Sequence, residues 1–576
     1  MGIIDFKATK CKHCYKCIRN CEVKAVMIRD ERAEIMPDKC ILCGKCMQVC
    51  PQSAKTLISD LELVKGYIDA GIRTVISLAP SYMGLLSYKT IGQVNGALRK
   101  LGFDDVRETS EGAAVVTSEY ARLLQEGEME NIITTCCPSV NDLIEIYYPQ
   151  LIPYMAPVVS PMIAHGKMIK EELGSEVKVV FLGPCIAKKK EAGDPRHDGY
   201  IDAVLNFNDI SRWLSEEEIT IEDCEDVPFT SNPRVNRLYP VTNGVVNSVL
   251  ATEEGRDGYR KFYVHGSLNC MDLCESMLRG GIKGCFIEMN MCSGGCIKGP
   301  TVDDESVSRF KIKLDMEEAI EKEPVPREEL DPVMEHISFK KLFIDRAPRD
   351  VMPSSDQIQE ILKMTGKTRP EDELNCGACG YSTCREKAIA VFQKKAELNM
   401  CIPFMHEKSE SLSNLVMQTS PNIVLIVDKD MKILEYSAVG EKYFGKTRQE
   451  ALTMYLYEFI DPSDFQWVYN THQKIHGKKV TYGEYHISTL QNILYIDKED
   501  VVLATFIDIT KEEDQARQEY EKKLETIALA QNVIHKQMMV AQEIAGLLGE
   551  TTAETKTTLT KLCRSLLDEG SESEVK

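Results

Sequence analysis

Four cysteines, Cys137, Cys185, Cys292 and Cys296, each follow an apolar run that reads as a buried strand. The runs are Asn131-Ile-Ile-Thr-Thr, Val177-Lys-Val-Val-Phe-Leu and Gly284-Cys-Phe-Ile-Glu. Short β-rich runs bounded by Gly, Pro and small residues predict parallel strands. An open α/β sheet puts its working site at the carboxyl ends of such strands. Thiols from three distant segments are therefore expected to meet at one buried point. In a reduced chain, converging thiolates suit a soft metal centre, above all iron–sulfur. Cys136 is a fifth thiol of this group.

Two further cysteine runs open the chain. Cys11-x2-Cys14-x2-Cys17-x3-Cys21 is followed by Cys40-x2-Cys43-x2-Cys46-x3-Cys50-Pro51. This spacing predicts two [4Fe–4S] clusters, with the fourth cysteine of each run serving the other cluster. One set is Cys11, Cys14, Cys17 and Cys50; the other is Cys40, Cys43, Cys46 and Cys21. A fourth group, Cys376-x2-Cys379-x4-Cys384-x16-Cys401, predicts one more [4Fe–4S] site, although four thiolates also suit zinc. Its glycines let the backbone wrap closely around sulfide.

Thr134-Thr-Cys-Cys-Pro138, Gly183-Pro-Cys-Ile-Ala-Lys-Lys-Lys-Glu191 and Glu288-Met-Asn-Met-Cys-Ser-Gly-Gly-Cys296 resemble the three signature loops of [FeFe]-hydrogenases. They stand in the family's order, behind a two-cluster ferredoxin segment. The resemblance covers roughly the first 300 residues. It implies an H-cluster: a [4Fe–4S] cluster held by Cys137, Cys185, Cys292 and Cys296, bridged through Cys296 to a diiron unit carrying CO, CN and azadithiolate. By the same resemblance Cys136 passes protons to the azadithiolate amine and Lys188 binds a cyanide. Ala79-Pro80-Ser81 contacts the other cyanide. Ser160 and Met162 belong to the pocket, and Glu119 matches a proton-relay glutamate. H2, protons, a ferredoxin-like electron carrier and the maturation proteins that install the diiron unit are the implied partners.

At 576 residues the chain has room for several domains, and 43% hydrophobic content supports sizeable cores. The formal charge of −20 argues against nucleic-acid or anionic-membrane partners. No apolar run is long enough for a transmembrane helix, and the first residues carry no signal-peptide pattern. Twenty-two cysteines in metal-type spacings point to a reducing cytoplasm. The predicted fold is multidomain α/β and α+β. Residues 1–58 form the ferredoxin module and 59–345 an α/β H-cluster domain. Residues 346–408 hold a linker and a small helical four-cysteine module. Residues 409–512 resemble a PAS domain, in which His472 and His476 read as surface histidines. Residues 513–576 are a helical segment and tail. Leu524, Ile527, Gln531, Ile534, Met538, Ala541, Ala545 and Leu548 form an a/d seam suited to a homodimer.

Several family positions are filled differently. Val140, Gly183, Asn290 and Met162 replace a tryptophan, two methionines and a glutamine. Val116 and Ala156 replace a relay glutamate and serine. A proton relay needs donor and acceptor within hydrogen-bond reach at every hop, so turnover is expected to be slow. A slow site joined to PAS fits sensing, and the chain resembles the PAS-containing subgroup assigned to that role, with an unknown signalling partner. The alternatives are a metabolic ferredoxin-linked hydrogenase and a non-catalytic iron–sulfur scaffold. The Cys376–Cys401 site is expected to lie between the hydrogen site and PAS.

Overall fold

A computed structural model describes residues 3–30, 32–197, 199–230, 234–252, 258–302, 308–322, 336–545 and 552–568. Leu548 and the tail from Gly570 lie outside the described residues. The chain divides into two units, Met1–Phe404 and Met405–Lys576.

In the first unit, β1 (Ile4–Phe6) pairs antiparallel with β4 (Lys55–Leu57), and β2 (Val26–Arg29) with β3 (Arg32–Ile35). These two ribbons frame both N-terminal cysteine runs. Beyond them lie seven strands in two parallel sheets. β5 (Thr74–Leu78), β6 (Asp105–Glu108), β8 (Lys178–Leu182) and β9 (Ala203–Leu205) run in the order β6-β5-β8-β9. β7 (Asn131–Ile133), β10 (Arg260–His265) and β11 (Cys285–Asn290) run in the order β10-β11-β7. All five residues of β5 and all six of β11 are buried. Parallel strands covered on both faces need buried, mainly apolar runs, which these segments supply apart from Thr74, Ser77, Glu288 and Asn290. Their crossovers are helices, among them Ser110–Glu126, Pro138–Tyr147 and Pro161–Leu173. The cysteine loops leave the carboxyl ends of β7, β8 and β11.

The four-cysteine module belongs to this first unit. Its helix Ser355–Met364 starts at a capping box, with Ser354 Oγ accepting from Gln357 N–H at 3.3 Å and Gln357 Oε1 accepting from Ser354 N–H at 2.9 Å. That helix packs on Cys384–Phe392.

The second unit carries a five-stranded antiparallel sheet in the order β13-β12-β16-β15-β14. Its strands are β12 (Ile423–Val427), β13 (Ile433–Tyr436), β14 (Ile475–Tyr482), β15 (Ile487–Ile496) and β16 (Val501–Asp508). Ile423, Leu425 and Val427 alternate into a core completed by Phe444, Phe465 and Phe506. His472 caps a helix in the left-handed region and stacks on Tyr495 at 4.0 Å, while His476 is exposed. Helix Thr510–Ala545 follows. Ile534, Met538 and Ala541 of the expected seam line a hollow shared with Leu559 of helix Thr552–Asp568. Ile534, Met538 and Ala541 are thus met within the chain, whereas Leu524, earlier in the seam, remains 43% exposed.

Candidate functional site

Cys136, Cys137, Cys185, Cys292 and Cys296 line one cavity of about 100 Å³. Cys137 caps helix Pro138–Tyr147, whose first-turn dipole favours a thiolate. Cys185 follows β8, and Cys292 and Cys296 follow β11. The four thiols act on one another electrostatically, and burial pushes each upward, Cys185 to about 11. Without metal they are neutral, so binding must displace protons. Much of the remaining lining is apolar, including Leu42, Met162, Phe181, Val245 and Met291.

One polar group in this cavity lacks a partner, and a second is a buried ammonium held by its neighbours. Ser81 Oγ is buried with no hydrogen-bond partner. Lys188 is buried, donates to Glu191 Oε2 at 2.7 Å, and lies 3.3 Å from the Cys136 carbonyl. Burial opposes its charge, but Glu191 and the nearby thiols more than offset this and raise its pKa. An unpaired hydroxyl and a fixed ammonium, beside four thiols, suit a thiolate-held metal group with anionic ligands. The donor set therefore fits the H-cluster. Ala79 also lines the cavity. Pro80 does not appear in the lining, and Ser160 sits one step behind it, donating to Glu191 Oε2 at 3.0 Å.

Cys136 is held by a residue that the sequence reading missed. The Tyr120 hydroxyl accepts from Thr135 N–H at 2.9 Å and lies 3.2 Å from Cys136 Sγ. Burial pushes the Cys136 thiol to about 12, with Glu288 and Cys137 adding to the rise and Tyr120 and Lys188 opposing it. Glu119 does not reach this thiol: it is half-buried and pairs with Arg122 at 2.9 Å. Val116 and Ala156 are fully buried. Glu288, on β11, is the carboxyl that acts on Cys136. It accepts from Asn243 N–H at 3.0 Å, Val246 N–H at 3.1 Å and Asn290 Nδ2 at 2.8 Å. Burial nonetheless raises it to about 7. Tyr239 lines the cavity and lies 2.7 Å from Thr117 Oγ1, which donates to Asn236 Oδ1 at 2.8 Å.

The other substituted positions also have physical accounts. A Cβ on Gly183 would come within 2.6 Å of the Phe181 ring, so Phe181 takes the space of the absent side chain. Asn290 lines the cavity and supports Glu288. Val140 is buried in an apolar cluster with Cys270 and Cys274, which read as small core hydrophobes.

The ferredoxin thiols sort as the spacing predicts for one set. Cys21, Cys40, Cys43 and Cys46 are neighbours whose charges act on one another, and burial raises Cys21 to about 11 and Cys40 to about 12. Backbone N–H groups of Ala25 and Leu42 donate to Cys21 and Cys40 sulfurs at 3.3 and 3.4 Å. Ala54 does the same for Cys50 at 3.4 Å. Cys43 also lines the five-cysteine cavity and acts on Cys292. Gly44 makes this approach possible. Its φ is +74°, and a Cβ there would lie 2.2 Å from Pro300 Cβ.

Cys376, Cys379, Cys384 and Cys401 line a separate hollow with Lys367 and Lys387. Lys367 Nζ donates to Cys401 Sγ at 3.4 Å. Among the described residues, no three His, Cys, Asp or Glu side chains are arranged to hold a single metal ion.

Comparison with known proteins assigns these parts. Residues 72–300 match the model of the iron-only hydrogenase large subunit, C-terminal domain. Residues 10–54 match a 4Fe-4S dicluster domain, 372–403 an Fe-S cluster segment and 413–509 the PAS fold. Residues 72–300 are thus homologous to the [FeFe]-hydrogenases, and the chain joins this domain to 4Fe-4S ferredoxin and PAS domains. Iron hydrogenase 1 of Clostridium pasteurianum is 25% identical over 435 residues, covering 54% of this chain and 76% of that protein. The NADP-reducing hydrogenase subunit HndD of Solidesulfovibrio fructosivorans is 23% identical, covering 50% and 63%. The cytosolic Fe-S cluster assembly factor NAR1 of Yarrowia lipolytica is 21% identical, covering 42% and 55%. The chain thus spans less than two thirds of the latter two. A variant of the [FeFe]-hydrogenase HydA1 from Chlamydomonas reinhardtii aligns in structure over 50% of this chain and 100% of its own, at 16% identity and TM-score 0.41. Among the described residues, no helix is long and apolar enough to cross a membrane.

Proposed function

We propose that this chain interconverts H2 with protons and electrons at a low rate, and that it serves as a hydrogen or redox sensor signalling through its PAS domain. The observation that carries this reading is the meeting of Cys137, Cys185, Cys292 and Cys296 in one cavity with Cys136, Lys188 and an unpartnered Ser81 hydroxyl. In this reading the four thiols would hold the cluster, and Lys188 and Ser81 would supply an ammonium and a hydroxyl to the anionic ligands of the diiron unit. When bound, that unit supplies the metal pair at which hydrogen is split or formed. The chain's own residues do the rest. The Cys136 thiol holds its proton at neutral pH, and Tyr120 fixes its sulfur. Glu288 exchanges protons near pH 7, the property a general acid–base group needs. The apolar lining limits water. Low rate follows from Glu119 facing Arg122 and from buried Val116 and Ala156, which carry no proton.

An iron–sulfur scaffold is the second reading, favoured by the assembly-factor relative. Hydrogen oxidation with an artificial acceptor, assayed on anaerobically matured protein, separates the two: slow turnover lost in Cys136→Ala supports the enzyme, and none supports the scaffold. Rapid turnover with a ferredoxin donor would favour a metabolic role. The sensory part is tested by hydrogen-exchange protection across residues 413–509 with and without H2. An unchanged pattern contradicts it. A reducing cytoplasmic setting, maturation proteins, a ferredoxin-like carrier, an unidentified signalling partner and homodimerisation through the seam around Leu524 complete the proposal.

A further inference from the structure

The four-cysteine module docks on the ferredoxin segment. Gly380, directly after Cys379, has φ of +95°, and a Cβ there would lie 2.7 Å from Ile18 Cγ2 and 3.2 Å from Arg19 N. Its carbonyl accepts from Lys24 Nζ at 2.7 Å, and the Ala378 carbonyl accepts from Arg19 Nη1 at 3.0 Å. Ile28 N–H donates to the Lys395 carbonyl at 3.0 Å. Asp350 clamps the same joint, pairing with Lys39 and with Lys395 at 2.6 Å each. Ile18, Cys21, Cys46, Tyr381 and Met400 share one apolar cluster, with Cys379 packed against it. Among the described residues, none between 59 and 345 enters that cluster.

We infer that the thiol set Cys21, Cys40, Cys43 and Cys46 is a branch point. Cys43 faces the catalytic thiols, Cys21 faces the Cys379 module across Gly380 and Tyr381, and the module is a side outlet of the ferredoxin segment. This replaces the linear order expected from sequence, in which the module stood between the hydrogen site and PAS. Electron tunnelling falls steeply with distance, so packed contact decides which sites exchange. With clusters bound at these thiols, the exchange would be of one electron: the site that loses it would be oxidised, the site that gains it reduced, and no bond or proton would move. N–H and Lys donors at Cys21 and Cys401 sulfurs stabilise added negative charge at both ends.

The inference rests on the iron–sulfur part of the proposed function and is independent of hydrogen turnover. Its test therefore uses dithionite as reductant and electron paramagnetic resonance as readout, on the full iron-loaded chain. We expect the signal of the Cys376–Cys401 site to be broadened, and to relax faster, when the ferredoxin site is reduced. Cys292→Ser should leave this coupling in place. Cys379→Ala should remove the module signal and narrow that of its ferredoxin neighbour. Gly380→Val, which forces a side chain against Ile18, should weaken the coupling at unchanged iron content. If it loses module iron instead, it serves as a second Cys379→Ala and must narrow the same ferredoxin signal. Overlay of the native spectrum on the sum of uncoupled signals would overturn the inference. So would loss of coupling in Cys292→Ser with ferredoxin clusters intact, because the module would then be reading the catalytic site.

Discussion

Tyr120 turns its hydroxyl to within 3.2 Å of the Cys136 sulfur, while Glu119, its neighbour on the same helix, turns outward to Arg122 at 2.9 Å. Successive helical residues point about 100° apart, so only one of the two can face the thiol. Tyr120→Phe is therefore expected to slow hydrogen turnover, while Glu119→Gln leaves it nearly unchanged. The phenylalanine also leaves Thr135 N–H without its partner, at a cost of about 1–3 kcal/mol. Turnover assays beside thermal unfolding separate the two effects. A strong effect of Glu119→Gln would contradict this assignment.

Cys136→Ala should reduce turnover by about 100-fold or more, the scale of a lost acid–base group. The infrared spectrum of the diiron unit should survive, because Cys136 is not among its expected ligands. Unchanged turnover would mean that protons reach the site by another route.

Glu288 gives a pH signature. Its carboxyl is raised to about 7 by burial, so the folded chain holds a proton that the unfolded chain has already released. The resulting stability, about 3 kcal/mol, is fully present below the unfolded pKa near 4.3 and is lost as pH rises through about 7. Glu288→Gln should flatten both the stability profile and the turnover profile across that window. A turnover profile with an unchanged inflection near 7 would assign the titration to another group.

Ser81→Ala removes a buried hydroxyl that has no partner. In metal-free protein the change should be neutral or stabilising, by up to about 1 kcal/mol. In matured protein it should lower retention of the diiron unit. Destabilisation of the metal-free form would show that the hydroxyl already serves the fold.

The fold was largely legible because β5, β8 and β11 carry short, mainly apolar runs and the cysteine runs have metal-type spacing. The meeting of Cys137, Cys185, Cys292 and Cys296 followed from strand ends, which one sheet rule sufficed to place. Tyr120 was missed because ungapped counting from Cys136 aligned Glu119, one helical step away from the facing position. Glu288 stood inside the third signature loop, but nothing in its spacing says that a buried strand carries it or that it titrates near neutrality. The docking of Gly380 on Ile18 joins residues more than 360 positions apart, and local periodicity carries no trace of it. Linear order placed the module between the catalytic and PAS domains, whereas packing placed it on the ferredoxin segment.

Lys188 is buried with Glu191 at 2.7 Å, and Lys341 lies 3.6 Å from the same carboxylate. Lys188→Met should cost about 3–5 kcal/mol, because it strips a buried carboxylate of its nearest partner. Lys188→Arg keeps the charge but not the compact ammonium, and should retain more stability than it retains diiron loading. Equal losses of both in the two variants would make Lys188 a purely structural residue.

Infrared spectroscopy of the anaerobically matured chain tests the central claim most directly. The account predicts CO and CN stretching bands in the native protein and their loss in Cys292→Ser, where a hydroxyl replaces a far better iron ligand. The ferredoxin clusters should persist in that variant. Absence of these bands in native protein that carries its full complement of iron, or their undiminished presence in Cys292→Ser, would contradict it.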